Sequence, residues 1–418
     1  MRSVLCRYLV FVFGLACATP AAAQQPTQAD VQAIRAEVDR LKQELAALEA
    51  KLATLGGAAP AQPAQAEAPA PTAEVPAGAA GAGGPEGALP LYGAATASSK
   101  IFNPDMAVIG DFLGAAGRNN VAPLKALDMH ESEASLQAIV DPYARADFFI
   151  SFGEQGVDLE EGFITFPALP GGFLMKVGKM RASFGKVNAQ HNHVLSWTDR
   201  PLVTSNLVGG EEGISDSGLS VSRLLLNPWF FLEATGEVYR GDSEVFTSHQ
   251  PGNLTYVGRV RGYRDVSDSS NLDLGASFAY GRNANGPDFA TRLIGVDATF
   301  RYRPLRRAIY RRFLGRTEVV WNHGEQPGSA PTSFGFYGAG DYQFARRWFA
   351  GARYDYSERA FDPTLSDKGQ SLVLTYWPSE FSQVRGQYRR TDYAERSTAN
   401  EFLFQFLFSI GAHGAHTF

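Results

Sequence analysis

From about Ile101 onward, apolar and polar residues alternate with period two in runs of roughly 8 to 12 residues, separated by turn-forming residues. The last run is the most regular. Phe402, Phe404, Phe406, Phe408 and Ile410 share one face, while Glu401, Leu403, Gln405, Leu407 and Ser409 share the other. Leu272, Leu274, Ala276, Phe278 and Tyr280 alternate in the same way with Asp273, Gly275, Ser277, Ala279 and Gly281. Successive side chains of an extended strand point to opposite sides, so these runs build a sheet with one apolar and one polar face. A soluble sandwich turns the apolar face to a core, whereas a membrane barrel turns it to lipid.

Beyond residue 20 no apolar run approaches the roughly 18 to 20 residues of a membrane helix, which excludes a helical membrane protein. The chain carries 43 Gly and 23 Pro, enough turn formers to punctuate many short strands. Sixteen strand windows can be counted between 105–114 and 400–412, an even number as bacterial barrels require. Tight turns at Asp141-Pro142-Tyr143, Pro170-Gly171, Asn227-Pro228, Ser267-Asp268, Ala345-Arg346 and Pro378-Ser379 alternate with mostly longer connections. Short turns on one side and long loops on the other suit an outer-membrane barrel. The stretch 153–156 is short for an outer loop, and 304–312 is long for an inner turn. The expected fold class is all-β: a transmembrane antiparallel β-barrel of about 16 strands over residues 100–418, preceded by an α-helical coiled coil and a flexible linker. Phe418, a terminal aromatic, closes the alternating last run in the manner of outer-membrane barrels.

Residues 1–23 read as a signal peptide, with Arg2 and Arg7 in a positive n-region, an apolar core from Tyr8 to Ala18, and small residues before cleavage after Ala23. Cys6 and Cys17 both lie in this segment, so the mature chain needs no disulfide. A lipid-anchor reading of Cys17 meets Gly14 where a branched apolar residue belongs. Val31, Ile34, Val38, Leu41, Leu45, Leu48, Leu52 and Leu55 are spaced as consecutive a and d positions, which predicts a periplasmic coiled coil over 27–55. The Ala/Pro/Gly-rich stretch 56–99 has almost nothing with which to build a core and reads as a linker.

Three short motifs bear on function. Val177-Gly178-Lys179-Met180-Arg181-Ala182-Ser183-Phe184-Gly185, Trp197-Thr198-Asp199-Arg200-Pro201-Leu202 and Gly213-Ile214-Ser215-Asp216-Ser217-Gly218 together resemble the phosphate-selective porin O and P family. That resemblance implies a sixteen-stranded homotrimeric diffusion channel concerned with ion transport, some members carrying an N-terminal coiled coil.

The long connection from Lys186 to Glu212 follows the fifth strand, where general porins fold a loop inward. Lys179, Arg181 and Arg200 are the constriction candidates. Arg145, Arg259, Arg261, Arg301, Arg303, Arg316, Arg353, Arg385 and Arg389 are the pore-lining candidates, since an arginine facing lipid would cost about 2–4 kcal/mol near the midplane. Asp147, Glu233, Glu237, Asp273, Asp297, Glu318 and Asp355 are expected on the same lumen wall, where they would neutralise much of that charge. His191 and His193 share one face of an extended segment and are weak metal-ligand candidates, with no third ligand identifiable; otherwise no metal and no cofactor is expected. No nucleophile and base stand in a recognisable local motif, so no enzyme is expected.

A formal net charge of −5 leaves no basic excess for nucleic acid. The expected partners are outer-membrane lipid, small hydrophilic solutes or anions such as phosphate, and further copies of the chain. The functional reading is an outer-membrane porin of a Gram-negative cell, with weak anion preference. The alternative is a structural barrel whose coiled coil tethers the membrane to periplasmic cell-wall material such as peptidoglycan.

Overall fold

The computed structural model describes residues 104–153, 156–308 and 310–411, together with two helical positions, Arg40 and Gln43. The chain divides into two units, Met1–Thr72 and Ala73–Phe418. Apart from Arg40 and Gln43, the signal peptide, coiled coil and linker read from the sequence lie outside the described residues, as does Phe418.

The described part of the second unit is a closed antiparallel barrel of sixteen strands. In chain order the first eight are β1 (Asp105–Arg118), β2 (Leu127–Asp141), β3 (Ala144–Gly153), β4 (Gly156–Leu169), β5 (Phe173–Arg181), β6 (Ser215–Leu224), β7 (Phe231–Tyr239) and β8 (Thr255–Ser267). Then follow β9 (Ser270–Asn283), β10 (Gly286–Tyr302), β11 (Arg312–Gly324), β12 (Thr332–Ala345), β13 (Trp348–Arg359), β14 (Asp362–Ser379), β15 (Ser382–Asp392) and β16 (Thr398–Gly411). Each strand pairs with its sequence neighbours, and β1 closes the ring on β16 with Val108 opposite Ile410 and Phe112 opposite Phe406. Closure leaves no unpaired edge, which a spanning sheet in hydrocarbon requires because every backbone N–H and C=O must be satisfied within the protein.

The wall has its apolar face outward. On β16, Phe402 and Phe404 are exposed while Glu401, Leu403 and Gln405 are buried. On β14, Leu372 and Leu374 face out and Ser371, Val373 and Thr375 face in. On β8, Tyr256 and Val260 are exposed while Arg259 and Arg261 are buried. Asp273, Asp297, Gln387 and Gln405 are each at most 1% exposed. A water-soluble barrel would reverse this arrangement, since burying carboxylates and exposing phenyl rings is unfavourable unless the outer solvent is apolar.

The strands reach further than the sequence windows. β14 starts at Asp362 and β10 at Gly286, so the connections at 284–285 and 360–361 are tight turns instead of long loops. Past the lipid zone the outer face no longer has to be apolar, so alternation fades while backbone pairing continues. At the first turn the Asn285 N–H donates to Asn283 Oδ1 at 3.0 Å, and Gly286 takes a φ of 139°. The connection at 303–311, long for its side, remains as the sequence suggested.

Candidate functional site

One connection does not stay outside. Residues 182–214, between β5 and β6, fold into the barrel and carry a 3₁₀ turn at Asn192–Val194 and one short helix, α1 (Leu202–Leu207). Phe184, Val187, Leu195, Trp197, Val203 and Leu207 are at most 1% exposed and belong to an apolar cluster shared with wall residues such as Leu293 and Tyr337. The lumen therefore contains the apolar core.

Polar groups of the wall hold this loop at points around the circumference. The Gly185 N–H donates to Ser277 Oγ on β9 at 3.1 Å, and Glu318 on β11 accepts from the Lys186 and Val187 N–H groups at 3.0 and 2.8 Å. Lys186 Nζ reaches Asp273 on β9 at 2.7 Å. Burial and the neighbouring Arg261 draw the lysine pKa down, against the pull of Asp273, to about 8. Further along, the Asp199 carboxylate accepts from Arg353 on β13 at 2.8 Å, and from Arg389 and Gln387 on β15 at 3.1 and 2.6 Å. Burial alone would raise its pKa, but the two guanidinium groups and Gln387 outweigh it and hold the carboxyl down at about 2. Trp197 lies beneath two cations, 4.7 Å from Arg316 and 4.9 Å from Arg353, and its carbonyl accepts from Arg385 at 3.0 Å. α1 is tied by Asn206 to Asp367 on β14 at 2.7 Å, and by its Leu207 carbonyl to Asn322 on β11 at 2.9 Å.

The sequence-derived arginines fall into distinct places. Arg316, Arg353, Arg385 and Arg389 hold the loop. Arg259 pairs with Asp297 and Arg261 with Asp273, each at 2.8 Å along the inner wall, while Arg145 pairs with Asp147. Arg301 stands 3.6 Å from Asp273, and Arg303 lies just past the end of β10 in an exposed turn.

The three constriction candidates are all engaged. Arg200, 5% exposed, donates to the Val187 and Gln190 carbonyls and to Asn192 Oδ1 at 3.0, 2.6 and 2.7 Å, so it braces the loop internally. Burial and the nearby Arg181 lower its pKa to about 9. Arg181 donates to the Glu211 and Glu212 carbonyls and pairs with Glu160. Lys179 reaches Asp158 on β4 at 3.4 Å.

His191 and His193 meet carboxylates that the sequence reading did not single out. His191 Nδ1 lies 2.9 Å from both Glu133 on β2 and Glu160 on β4, and Nε2 lies 2.7 Å from Glu161. Burial opposes charge on this ring, but the surrounding carboxylates prevail and raise its pKa well above 6.5. His193 is 3.9 Å from Glu131 and 4.0 Å from Glu133, and its pKa is raised by the same balance. The available signal was the i, i+2 pair Glu131 and Glu133, which shares a strand face; the pairing of β2 with the distant loop was not legible.

On the side of the short turns, a cavity of about 730 Å³ opens next to the loop. His193, Val194, Leu195 and Ser196 form its loop side, and its wall carries Arg261, Arg301, Arg303, Arg312 and Arg385 against Asp265, Asp268 and Asp341.

An uncharacterized protein of Aquifex aeolicus is 32% identical over 396 residues, covering 79% of this chain and 83% of the relative. No protein-family model matches. Among solved structures, Pseudomonas putida OprB at high pH superposes with a TM-score of 0.55 at 10% identity, over 74% of this chain and 94% of OprB. An anion-selective porin from Comamonas acidovorans gives 0.53 at 9% identity, over 74% and 99% of the two chains. OmpT, an outer membrane protein of Vibrio cholerae, gives 0.51 at 11% identity, over 73% and 97%. These likenesses show a porin-type barrel fold.

Proposed function

We propose that this chain, which belongs to the same family as the Aquifex aeolicus protein, is an outer-membrane porin for passive diffusion of small hydrophilic solutes, with a preference for anions. The observation that carries this reading is the inverted wall: exposed Phe402, Phe404, Leu372 and Leu374 outside, and buried Asp273, Asp297, Gln387 and Gln405 inside. Such a barrel suits lipid on its surface and water with polar solutes in its lumen.

The anion preference is supported by the cavity wall, where five arginines face three aspartates, and by the adjoining turn, which adds exposed Arg306, Arg307 and Arg311. Phosphate fits this chemistry, in keeping with the motifs that resemble phosphate-selective porins. The working assembly is a homotrimer with residues 27–55 in the periplasm, and the chain acts as a channel rather than an enzyme. Liposome swelling with sugars and organic anions of graded size tests the proposal. Size-dependent entry, faster for anions at equal size, is expected; no entry of any solute would overturn it.

A second reading is a structural barrel that tethers cell-wall material through residues 27–55. What favours it is the loop itself, whose fully buried Trp197 and Leu207 pack across the lumen. It predicts impermeable liposomes and loss of cell-wall pull-down on deletion of residues 27–55.

A further inference from the structure

One contact between loop and wall contains an arrangement that hydrogen bonding leaves incomplete. Glu131 and Glu133 on β2, Glu160 on β4 and His191 on the loop each offer one ligand atom, and these four atoms all lie within 4.8 Å of one another. His191 is 8% exposed and Glu133 only 2%. His191 Nδ1 and Glu133 Oε2 approach to 2.9 Å, yet neither atom makes an aligned hydrogen bond. Two buried polar atoms thus point into one small space with no aligned hydrogen bond between them, an arrangement that a shared cation would satisfy.

The other side of the imidazole is arranged differently. Nε2 meets Glu161 at 2.7 Å in a good hydrogen bond. Donation from Nε2–H to that carboxylate orients the ring and turns Nδ1 toward Glu133 and Glu160. This carboxylate–histidine relation orients a metal-binding imidazole and raises its basicity. Arg181 Nη2 stands 3.3 Å from Glu160 and offsets part of the negative charge, to which Glu131 and Glu133 add.

We propose that Glu131, Glu133, Glu160 and His191 form a binding site for one divalent transition-metal cation, which locks the inward loop to β2 and β4. Three carboxylate oxygens and one imidazole nitrogen match Zn²⁺ or Mn²⁺ better than Mg²⁺, which takes oxygen ligands and keeps several waters. Bonds of about 2.1 Å place adjacent ligands about 3.0 to 3.4 Å apart, so ligand atoms that now spread over as much as 4.8 Å must draw together on the ion. Binding releases the Nδ1 proton and replaces its charge by that of the ion. The site does not depend on whether the lumen conducts.

The test uses untagged full-length protein in detergent, stripped with EDTA, with folding verified by heat-modifiable electrophoretic migration. Isothermal titration with Zn²⁺ and Mn²⁺, and metal analysis after dialysis, are expected to give one ion per chain with micromolar or tighter affinity. Hydrogen exchange of residues 182–214 is expected to slow when Zn²⁺ is added. Glu133→Gln and His191→Gln should each weaken Zn²⁺ binding by about 30-fold or more, while His249→Gln, which removes a ring outside the cluster, should leave it unchanged. Absence of saturable binding to folded wild-type protein would overturn the proposal. So would unaltered binding in a folded Glu133→Gln or His191→Gln variant; if both variants fail to fold, Zn²⁺-dependent slowing of loop exchange in the wild type decides in its place.

Discussion

Replacing Asp199 by Asn tests how the inward loop is held. The carboxylate accepts from Arg353 at 2.8 Å and Arg389 at 3.1 Å through one oxygen, and from Gln387 at 2.6 Å through the other. An amide can still accept from Gln387, but its NH₂ group then confronts two guanidinium groups that have only donors to offer. Breaking a buried ion pair by removing one partner costs about 3–5 kcal/mol. Here the lower end applies, because Arg353 keeps Asp355 at 2.8 Å and Arg389 keeps Glu401 at 2.7 Å. At 1.4 kcal/mol per factor of ten, a loss of about 3 kcal/mol raises the population of detached loop by more than about a hundredfold. Hydrogen exchange by mass spectrometry reads this directly, at amides such as Leu195 and Val208, which donate within the loop to Asn192 and Thr204. Protection there should fall by about two orders of magnitude while strand amides keep theirs. Loop protection unchanged within threefold, in a variant with an intact barrel, would refute the view that this ion-pair cluster holds the loop.

The same carboxyl gives a pH dependence. Its folded pKa of about 2 lies below the ordinary 3.8, so its contribution, about 2 kcal/mol, is fully present above pH 4 and is lost as pH falls toward 2. Guanidinium unfolding at pH 5 and pH 2.5 should therefore show a larger loss for the wild type than for Asp199→Asn. Trp197→Ala removes a fully buried ring and both cation contacts, and should lower stability by about 3–5 kcal/mol in the same assay. Gly185→Ala drives a methyl group into the Glu318 carboxylate at a φ of 61°, and should loosen residues 182–190 in hydrogen exchange without opening the barrel. Arg200→Ala removes three hydrogen bonds that brace the loop internally and should raise current noise in planar bilayers, whereas a quiet trace of wild-type amplitude would argue against a bracing role.

The barrel was legible because lipid and lumen impose opposite demands on alternate residues. Phe402 and Glu401 reveal their sides from chemistry alone, and the sixteen-strand count follows from such runs. Where a strand leaves the membrane that constraint ends, which is why Asp362–Asp367 reads as loop and pairs as strand. The inward connection was visible as a long insertion after the fifth strand. Its contents were less so, because Arg200 carries the same side chain whether it faces a solute or the Val187 carbonyl. Pairing across the lumen joins residues far apart in sequence, such as Lys186 with Asp273 and His191 with Glu133, and no local pattern encodes those meetings. The three porin-like motifs nevertheless mark where the loop leaves β5, its Trp197–Asp199 anchor and its return into β6.

A water-filled path with an arginine-rich approach shows itself in single-channel recording of the folded protein in a planar bilayer under a potassium chloride gradient. Stepwise conductance with a reversal potential on the chloride side of zero is the predicted result. A silent bilayer from protein of verified fold would contradict the channel, and a reversal potential on the potassium side would contradict the anion preference.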